Sequence, residues 1–325
     1  RPVRDVISEI IDQPAKRRLV MVALVVLAAF AYDFSGTRFD QTLAPVIGLG
    51  DGIEESFLSR LVIAILLGVL VWLNSAFLSR MPFRVQVVIV WAELLFLFLA
   101  FFYSFNLSFP FIIDRLPILI FTGAFTTIYV SLISIAISCV IAMAGAIARL
   151  SSNGPAYATA TFYTSFFRGT PLLLQVYLIY LGLPQLGFVL DAVPSGIIAL
   201  SLCYGAYMAE IFRAGIQSIP HGQWEASRAL GFRPSYIMRL VILPQAIRVI
   251  IPPTGNQFIA MLKDSSLVSV MGVWELMFLA RTQGRSEFKH FEMLITAAVI
   301  YWIISFTFEM IQARIEYHYG RPHRR

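Results

Sequence analysis

The stretch EASRALGFRPSYIMRLVILP, residues 225 to 244, places several charged residues inside a chain in which 58% of the residues are hydrophobic: Glu225, Arg228, Arg233 and Arg239. Gly231 is typical of the left-handed position that ends a helix, and Pro234 is typical of the first turn of a new one. The stretch therefore predicts two short helices joined by a turn, and we expect the second to end at Pro244. We treat residues 222–244 as one loop.

The second helix of this loop has one apolar face, formed by Tyr236, Ile237, Leu240 and Val241. Their spacing of i, i+1, i+4 and i+5 puts them on one side of a helix. Such a face needs a surface to cover it. Two simple placements remain open: the helix lies among lipid headgroups, or the loop folds back on its own bundle. Because the loop is tethered between apolar segments, a DNA-reading helix-turn-helix is disfavoured.

The composition of the whole chain is that of a membrane protein. The mean hydropathy is +0.76 and charged residues make up 14%, against about 25% in soluble domains. About 20 helical residues cross a hydrocarbon core. The sequence predicts an all-α, polytopic membrane bundle of about eight transmembrane helices, over residues 17–33, 58–78, 85–105, 117–148, 169–187, 193–212, 246–280 and 292–314.

The distribution of basic residues predicts the orientation, because Lys and Arg accumulate in cytoplasmic loops. With the N-terminus inside, one face receives most of them, including the loop at 222–244, and both termini are cytoplasmic. The opposite face receives fewer, mixed with acids: Arg38, Arg60, Arg115, Arg281, Arg285 and Lys289. Basic loops facing anionic membrane lipid account for the net charge of +6 without a nucleic-acid partner.

Composition also divides the chain near residue 116. Residues 1–116 hold three helices of plain apolar character, such as LLFLFLAFFYSF at 94–105. Residues 117–325 hold five helices, with Gly, Ser, Thr and Pro inside the apolar runs. Small and hydroxyl residues let membrane helices approach closely or bend. We therefore predict an N-terminal extension and a core domain that packs against partners or lines a pathway.

The loop resembles the cytoplasmic EAA loop of ABC importer permeases, in which E-A-A is followed by three residues, Gly, nine residues and I-x-L-P. This chain has Glu225, Ala226 and Ser227, then Gly231 and Val241-Ile242-Leu243-Pro244 at the same spacings. Ser227 replaces the third alanine and Val241 the isoleucine. The match extends over 20 positions of a segment already predicted to be cytoplasmic.

Other segments are similar to the polar amino-acid branch of that family: FFRGTPLLLQVYLIYLGLP (166–184), AEIFRAGIQSIPHGQWEASRALGF (209–232) and PPTGNQFIAMLKDSSLVSVMGVWEL (252–276). The resemblance covers about residues 118–319. Family members commonly have Glu-Leu before the Phe-Arg-Gly-Thr-Pro run, whereas this chain has Ser165 and Phe166. A role of that Glu is therefore not expected here.

The resemblance implies the transmembrane subunit of an ABC importer for polar amino acids in a bacterial inner membrane, working by alternating access. Its implied partners are ATPase subunits, a second permease, identical or paralogous, and an extracytoplasmic binding protein. A Walker A loop needs Gly-Lys-Ser/Thr, but none of Lys16, Lys263 and Lys289 follows a glycine. We therefore expect no enzyme activity and no cofactor in this chain, with ATP and Mg²⁺ bound by the ATPase. The alternatives are a secondary transporter or channel acting alone and an intramembrane enzyme.

Candidate site residues fall into three groups. The resemblance implies that the loop docks on the ATPase through Glu225, Ala226 and Gly231. In segment 246–280, intramembrane charges are costly and point to function. Because Lys263 and Asp264 are adjacent, they face different ways on a helix. One would meet a substrate carboxylate and the other an ammonium, with hydrogen bonds from Asn256, Ser265 and Ser266. A structural ion pair to a neighbouring helix is the alternative.

The third group is a possible gate: Arg168, Thr170, Gln175 and Glu210. Arg168 and Gln175 flank Thr170-Pro171, where the chain enters the membrane from inside. For Glu210 and Arg213 the alternative is a solvated pair that snorkels from the helix end. Cys139 and Cys203 lie in apolar runs and predict no disulfide. The histidines show no i,i+4 pairing, so the sequence predicts no metal site.

Overall fold

A computed structural model describes residues 14–31, 57–103, 105 and 107–319, and its regular elements in these ranges are all helices. Contacts group the chain into two compact units, Arg1–Leu107 and Ser108–Arg325. The division after residue 116, made on composition, stays a prediction. For most basic residues near both termini the structure describes no side chain. The orientation predicted from the basic residues stays a prediction.

The first unit contains α1 (Pro14–Ala31), α2 (Phe57–Leu78) and α3 (Phe83–Tyr103). Helices α1 and α2 pack closely, because a Cβ on Gly68 would lie 2.5 Å from the Cγ2 atom of Val26. Most large apolar side chains of α3 are exposed, as in helices that face lipid. A polar pair crosses between α2 and α3, where the Asn74 amide donates to the Glu93 carboxylate at 2.9 Å.

The second unit contains the candidate sites and is built on eight helices in the described ranges. They are α4 (Phe109–Leu150, with a π-helical turn), α5 (Gly154–Gly169), α6 (Leu172–Leu186), α7 (Ala192–Gln217), α8 (His221–Ala229), α9 (Pro234–Met271), α10 (Leu276–Ser286) and α11 (His290–Tyr319).

Helix α7 lies at the centre of this unit and is its most buried long helix. Small residues let its neighbours approach. A Cβ on Gly205 would lie 2.9 Å from Ile141 of α4, and one on Gly215 would lie 2.4 Å from Ile250 of α9. Because no hydrophobic driving force acts between membrane helices, their association depends on close van der Waals packing, which small residues at the interface allow. The Gly and Ser content of the apolar runs thus has a packing cause.

The predicted fold class is confirmed. Six described helices are long and apolar enough to span a membrane, α5 and α6 form a pair bent by 108°, and Arg18–Ala31 is a shorter apolar helix. The predicted count of about eight is roughly consistent with these elements, although several bounds differ and the helix at Gly154–Gly169 has no predicted counterpart. That helix was not expected, although Asn153 caps it by accepting a hydrogen bond from the backbone N–H of Ala156 at 3.1 Å.

Two boundaries were predicted wrongly. Pro244 does not end a helix, because α9 continues from Pro234 to Met271; a π-helical turn over Ile237–Ile242 directly precedes the segment that contains it. Proline is tolerated at position 244 because it lies in the first turn of the α-helix that follows the π-helical turn. The segment predicted as one helix over 246–280 is also divided. It ends at Gly272, with φ +83°, and α10 begins after Glu275.

Candidate functional site

The loop between α7 and α9 forms a helical hairpin. Helix α8 ends in a Schellman motif, in which the N–H of Phe232 donates to Ser227 O at 3.2 Å and that of Gly231 to Arg228 O at 2.9 Å. Gly231 has φ +76°, a conformation that costs other residues free energy. The predicted two-helix turn is therefore present, and Gly231 supplies its left-handed residue.

The apolar residues of this hairpin divide between two environments. Ile237 and Ile242 are buried in a core cluster with residues of α4 and α7, and Trp224 and Val241 pack against that cluster. By contrast, Leu230 is 73% exposed and Leu240 59%. The face predicted from Tyr236, Ile237, Leu240 and Val241 is thus split. One side anchors the hairpin to the bundle, and the other presents uncovered apolar surface.

Glu225 and Ala226 lie on the exposed side of α8. Among the described residues, Glu225 has no hydrogen-bond or ionic partner, so its carboxylate is free to meet another molecule. We name the exposed surface of residues 221–240 the hairpin surface. It comprises a free acid, a small residue, a left-handed turn and two uncovered leucines.

A polar cavity of about 440 Å³ lies between α5, α6, α7 and α9, and we name it the Asp264 cavity. The hydroxyl of Tyr204 donates to the Asp264 carboxylate at 2.7 Å. Arg168 lies over the ring of Tyr207, with its Cζ atom 5.5 Å from the ring centroid. The two tyrosine rings are 6.4 Å apart. A carboxylate and a guanidinium thus line one cavity. The carboxylate accepts a hydrogen bond from a tyrosine of α7, and the guanidinium lies over the ring of another.

The bend between α5 and α6 forms one wall of this cavity, from Arg168 to Leu172. Gln175 is buried and holds the bend in place. Its Nε2 atom lies within donating distance of Phe167 O at 2.8 Å, Thr170 O at 3.0 Å and Thr170 Oγ1 at 2.9 Å. Its Oε1 atom is buried without a partner. Gln175 therefore shapes the wall by holding its backbone, whereas Arg168 and Thr170 line the cavity directly.

Glu210 of α7 is shared by three arginines from three helices. It pairs with Arg149 of α4, with Arg168 of α5 at 3.2 Å and with Arg213 at 2.9 Å. Its side chain is 23% exposed, so this is a partly buried cluster and not the snorkelling pair that the sequence left open. The cluster connects the helix that precedes the hairpin to Arg168 in the cavity wall.

The remaining predicted substrate residues are not gathered in the Asp264 cavity. Lys263 and Ser266 line a different, largely apolar cavity of about 550 Å³, together with Tyr301, Trp302 and Glu309. Ser265 is buried and donates to Leu262 O at 2.8 Å. Asn256 accepts a hydrogen bond from Gln312 at 3.0 Å. Adjacent positions on α9 thus face separate cavities.

Sequence reasoning missed three residues of this region: Tyr204, Tyr207 and Arg149. The tyrosines lie at i and i+3 in CYGAYMAE, beside the small Gly205 and Ala206, a pattern that places both rings on one side of a helix. Arg149 lies one residue beyond the predicted helix 117–148 and was not a candidate. No group of His, Cys, Asp and Glu within the described residues is arranged to hold a metal ion.

These features define a class: a polytopic helical membrane protein with a polar cavity inside its bundle and a helical hairpin at one end. The family described as "Binding-protein-dependent transport system inner membrane component" matches residues 141–319. The chain belongs to this family. It is the multi-pass, membrane-embedded component of a transport system.

Individual relatives agree with this assignment. The L-cystine transport system permease protein TcyB of Bacillus subtilis (strain 168) is 42% identical over 195 residues, 60% of this chain and 83% of that protein. The arginine transport system permease protein ArtQ of the same organism is 37% identical over 212 residues, 65% of this chain and 96% of that protein.

Solved structures show the same fold. The crystal structure of an amino acid ABC transporter with histidines superposes with a TM-score of 0.62 at 37% identity, covering 66% of this chain and 100% of that chain. An inward facing conformation of the MetNI methionine ABC transporter gives a TM-score of 0.56 at 22% identity, with the same coverage. At that identity the second likeness concerns the fold alone.

Proposed function

We propose that this chain is the transmembrane subunit of an ATP-driven ABC importer for polar amino acids. The relatives TcyB and ArtQ are named for L-cystine and arginine, and the family match covers residues 141–319. The chain forms the path across the inner membrane, both of its termini face the cytoplasm, and it alternates between outward and inward access.

The proposed complex contains two ATPase subunits, a second permease subunit, identical or paralogous, and an extracytoplasmic binding protein. ATP and Mg²⁺ bind to the ATPase, because no lysine of this chain follows a glycine as a phosphate-binding loop requires. The hairpin surface docks on the ATPase. Its uncovered Leu230 and Leu240 supply apolar contact area, and Glu225 supplies a charge for a basic partner residue.

The observation that carries this proposal is the continuity of α9. The helix starts in the hairpin at Pro234 and reaches Met271, and Asp264 lies on it beside the cavity. Movement of the hairpin is therefore transmitted to the cavity through one helix. A second connection runs through α7, whose Glu210 holds Arg168 in the cavity wall.

The Asp264 cavity is the proposed substrate pocket. An amino acid carries an ammonium and a carboxylate, and the cavity offers one carboxylate and one guanidinium. Asp264 binds the ammonium, and Arg168 faces the carboxylate, while Thr170 and Gln175 hold the bend that gates the pocket. Glu210 competes with the substrate for Arg168. Asn256, Lys263, Ser265 and Ser266 remain proposed substrate residues whose contribution needs a separate test.

Two glycines of the hairpin test the coupling role. Gly222 and Gly231 both have open space around the position of a Cβ, but only Gly231 has a positive φ. Gly231→Val therefore strains the turn by roughly 1–2 kcal/mol, whereas Gly222→Val does not. We expect Gly231→Val to reach the membrane in normal amount and to lose at least about ten-fold in substrate-stimulated ATP hydrolysis.

The measurement is co-purification of the ATPase with each variant, followed by its ATP hydrolysis in lipid nanodiscs. Gly222→Val should behave as the unaltered protein. Full stimulation in Gly231→Val would remove the hairpin from the coupling path. Substrate uptake by cells that lack the ATPase would instead support a transporter that acts alone.

A further inference from the structure

A third cavity, of about 590 Å³, lies at the end of the bundle opposite the hairpin, and we name it the Arg281 cavity. It is bounded by α10, by the end of α9 and by the middle of α6. Its lining includes Tyr177, Tyr180, Gly272, Arg281 and Arg285. No candidate residue derived from the sequence belongs to it.

The two arginines are its main charged feature. Arg281 and Arg285 are four residues apart on α10, so they lie on one face of the helix, and both are exposed. Within the described ranges neither has an ion-pair partner. In contrast, Arg115 and Lys289, near the same end, both pair with Glu287. Two like charges at this spacing repel each other, and an anion between them removes that cost.

The helix that carries the arginines is firmly held. Glu275 caps its first turn by accepting hydrogen bonds from the N–H groups of Phe278 at 2.7 Å and Met277 at 2.9 Å. Leu276 and Leu279 are buried in a core cluster. A Cβ on Gly284 would lie 2.9 Å from His290 Cα, so the end of α10 is packed against the start of α11. The arginines therefore project from a fixed frame.

The opposite wall offers further donors. The hydroxyls of Tyr177 and Tyr180 make no hydrogen bond to any described residue, and both tyrosines line the cavity. Guanidinium groups bind carboxylates through paired N–H donors, and a phenol donates one more hydrogen bond. The donors of this cavity thus match a small carboxylate, and it offers no acidic side chain to compete.

The position of the Arg281 cavity links it to the path. One apolar cluster contains Tyr204, which lines the Asp264 cavity, and Met271, which lines the Arg281 cavity. The two cavities therefore border the same packed cluster from different sides. An anion held by Arg281 and Arg285 would lie near the C-terminal end of α9, beside the cluster that also borders the Asp264 cavity.

We propose that Arg281 and Arg285 form an entry subsite that binds the α-carboxylate of the amino acid before it reaches the Asp264 cavity. This inference rests on the proposed amino-acid transport. The carboxylate is recognised at the entrance whatever the side chain, and specificity for the side chain arises elsewhere. An acidic group of a partner protein has the same chemistry, so the test separates the two sources.

The test compares L-alanine with L-alaninamide, which lacks the carboxylate. Their binding is measured by saturation-transfer NMR on the permease–ATPase complex in lipid nanodiscs, without the binding protein. This complex carries Arg168→Gln, so that the Asp264 cavity contributes no guanidinium to the preference. We expect the Arg168→Gln complex to bind alanine about ten-fold or more tightly than the amide, since a hydrogen bond to a charged group is worth roughly that factor. Arg281→Gln/Arg285→Gln should reduce this preference to less than about two-fold.

The matched control is Arg248→Gln/Arg314→Gln, which removes the same charge from exposed positions of α9 and α11 and should keep the preference. Arg281→Lys/Arg285→Lys should keep part of it. In the Arg168→Gln background, a double glutamine variant that retains the full preference overturns the entry subsite. A complex with Arg281 and Arg285 intact that binds both probes equally also overturns it. Loss of binding-protein docking with an unchanged preference assigns the arginines to a partner protein and also overturns it.

A separate measurement keeps the proposed function distinguishable. Uptake of labelled L-cystine, L-arginine, L-glutamine and the other common amino acids is compared between cells with and without the permease. If none is taken up through it, the amino-acid assignment fails. If at least one is taken up while the glutamine variants keep the alanine preference, only the entry subsite fails.

Discussion

Two tyrosine–carboxylate hydrogen bonds in the second unit are chemically alike and differ in their surroundings. Tyr204 donates to Asp264 at 2.7 Å beside an open polar cavity. Tyr301 donates to Glu275 at 2.6 Å, and Glu275 is 0% exposed. The first pair borders space that a ligand can occupy, whereas the carboxylate of the second pair is fully buried.

The number of donors explains what each acid does. Glu275 accepts from Tyr301 and from two backbone N–H groups of α10, so its oxygens are largely satisfied and it fixes α10 in place. Asp264 accepts from Tyr204 alone among the described residues, so it retains acceptor capacity for an ammonium. A satisfied carboxylate is structural, and an unsatisfied one beside a cavity is available for binding.

Glu275, the buried acid, gives the largest expected effect, and that effect is on stability. Burial disfavours the charged carboxylate and raises the pKa of Glu275 to about 7, against hydrogen bonds from Tyr301, Met277 N–H and Phe278 N–H that lower it. The folded protein thus holds this proton more tightly than the unfolded chain. The resulting stability is complete below about pH 4.5 and is lost as the pH rises through about 7.

We expect the free energy of unfolding to fall by up to about 3 kcal/mol over that range. The measurement is thermal unfolding of the purified complex in nanodiscs at several pH values. Glu275→Gln removes the titrating group and should flatten this part of the profile. An unchanged slope in that variant would show that Glu275 does not titrate as a buried acid.

The open acid predicts the next largest effect, which is on transport. Asp264→Asn removes the charge that binds the ammonium while keeping the size of the side chain. A hydrogen bond between charged groups is worth roughly 1.5–3 kcal/mol, so uptake of labelled amino acid should fall at least about ten-fold. Membrane abundance and thermal stability should stay as in the unaltered protein, because Asp264 is exposed.

Asp264→Glu is the matched control, since it keeps the charge and should retain part of the uptake. Normal uptake kinetics in Asp264→Asn would exclude Asp264 from the substrate pocket. A loss of abundance equal to the loss of uptake would instead make Asp264 a structural acid like Glu275.

The hydrogen-bond partners that distinguish Asp264 from Glu275 could not be predicted from the sequence. Both are acids in or next to an apolar run, where a charge is costly. The sequence predicts a substrate residue at Asp264 and a packing or interface acid at Glu275, but it identifies the hydrogen-bond donor to neither. Their donors come from residues distant in the chain: Tyr204 is 60 residues from Asp264, and Tyr301 is 26 residues from Glu275. Which acid is open therefore depends on tertiary packing that no local pattern contains.

Features set by local chemistry were predicted well. The turn at Gly231 follows from the backbone freedom of glycine, and the membrane helices follow from their length and hydropathy. The prediction that a helix ends at Pro244 was wrong because a proline is compatible with the first turn of an α-helix that follows a π-helical turn. The division at Gly272 was missed because the apolar run continues through it, and only the cap by Glu275 shows that a new helix starts.

Lys263, the neighbour of Asp264, gives the smallest expected effect. Its substitution tests whether the cavity on its side of α9 also binds substrate. Lys263 lines the largely apolar cavity with Tyr301 and Trp302, and a long lysine stem lies well against apolar surface. Lys263→Met keeps that stem length and removes the charge. If the Asp264 cavity alone binds substrate, uptake should change by less than about two-fold, because no described residue forms an ion pair with Lys263 that the substitution would break.

The same uptake assay measures Lys263→Met beside Asp264→Asn, with Lys263→Arg as the variant that keeps the charge. A ten-fold loss in Lys263→Met that Lys263→Arg restores would place the substrate carboxylate at Lys263. The two cavities on either side of α9 would then both belong to the path, and the contrast between the polar cavity beside Asp264 and the largely apolar cavity beside Lys263 would be lost.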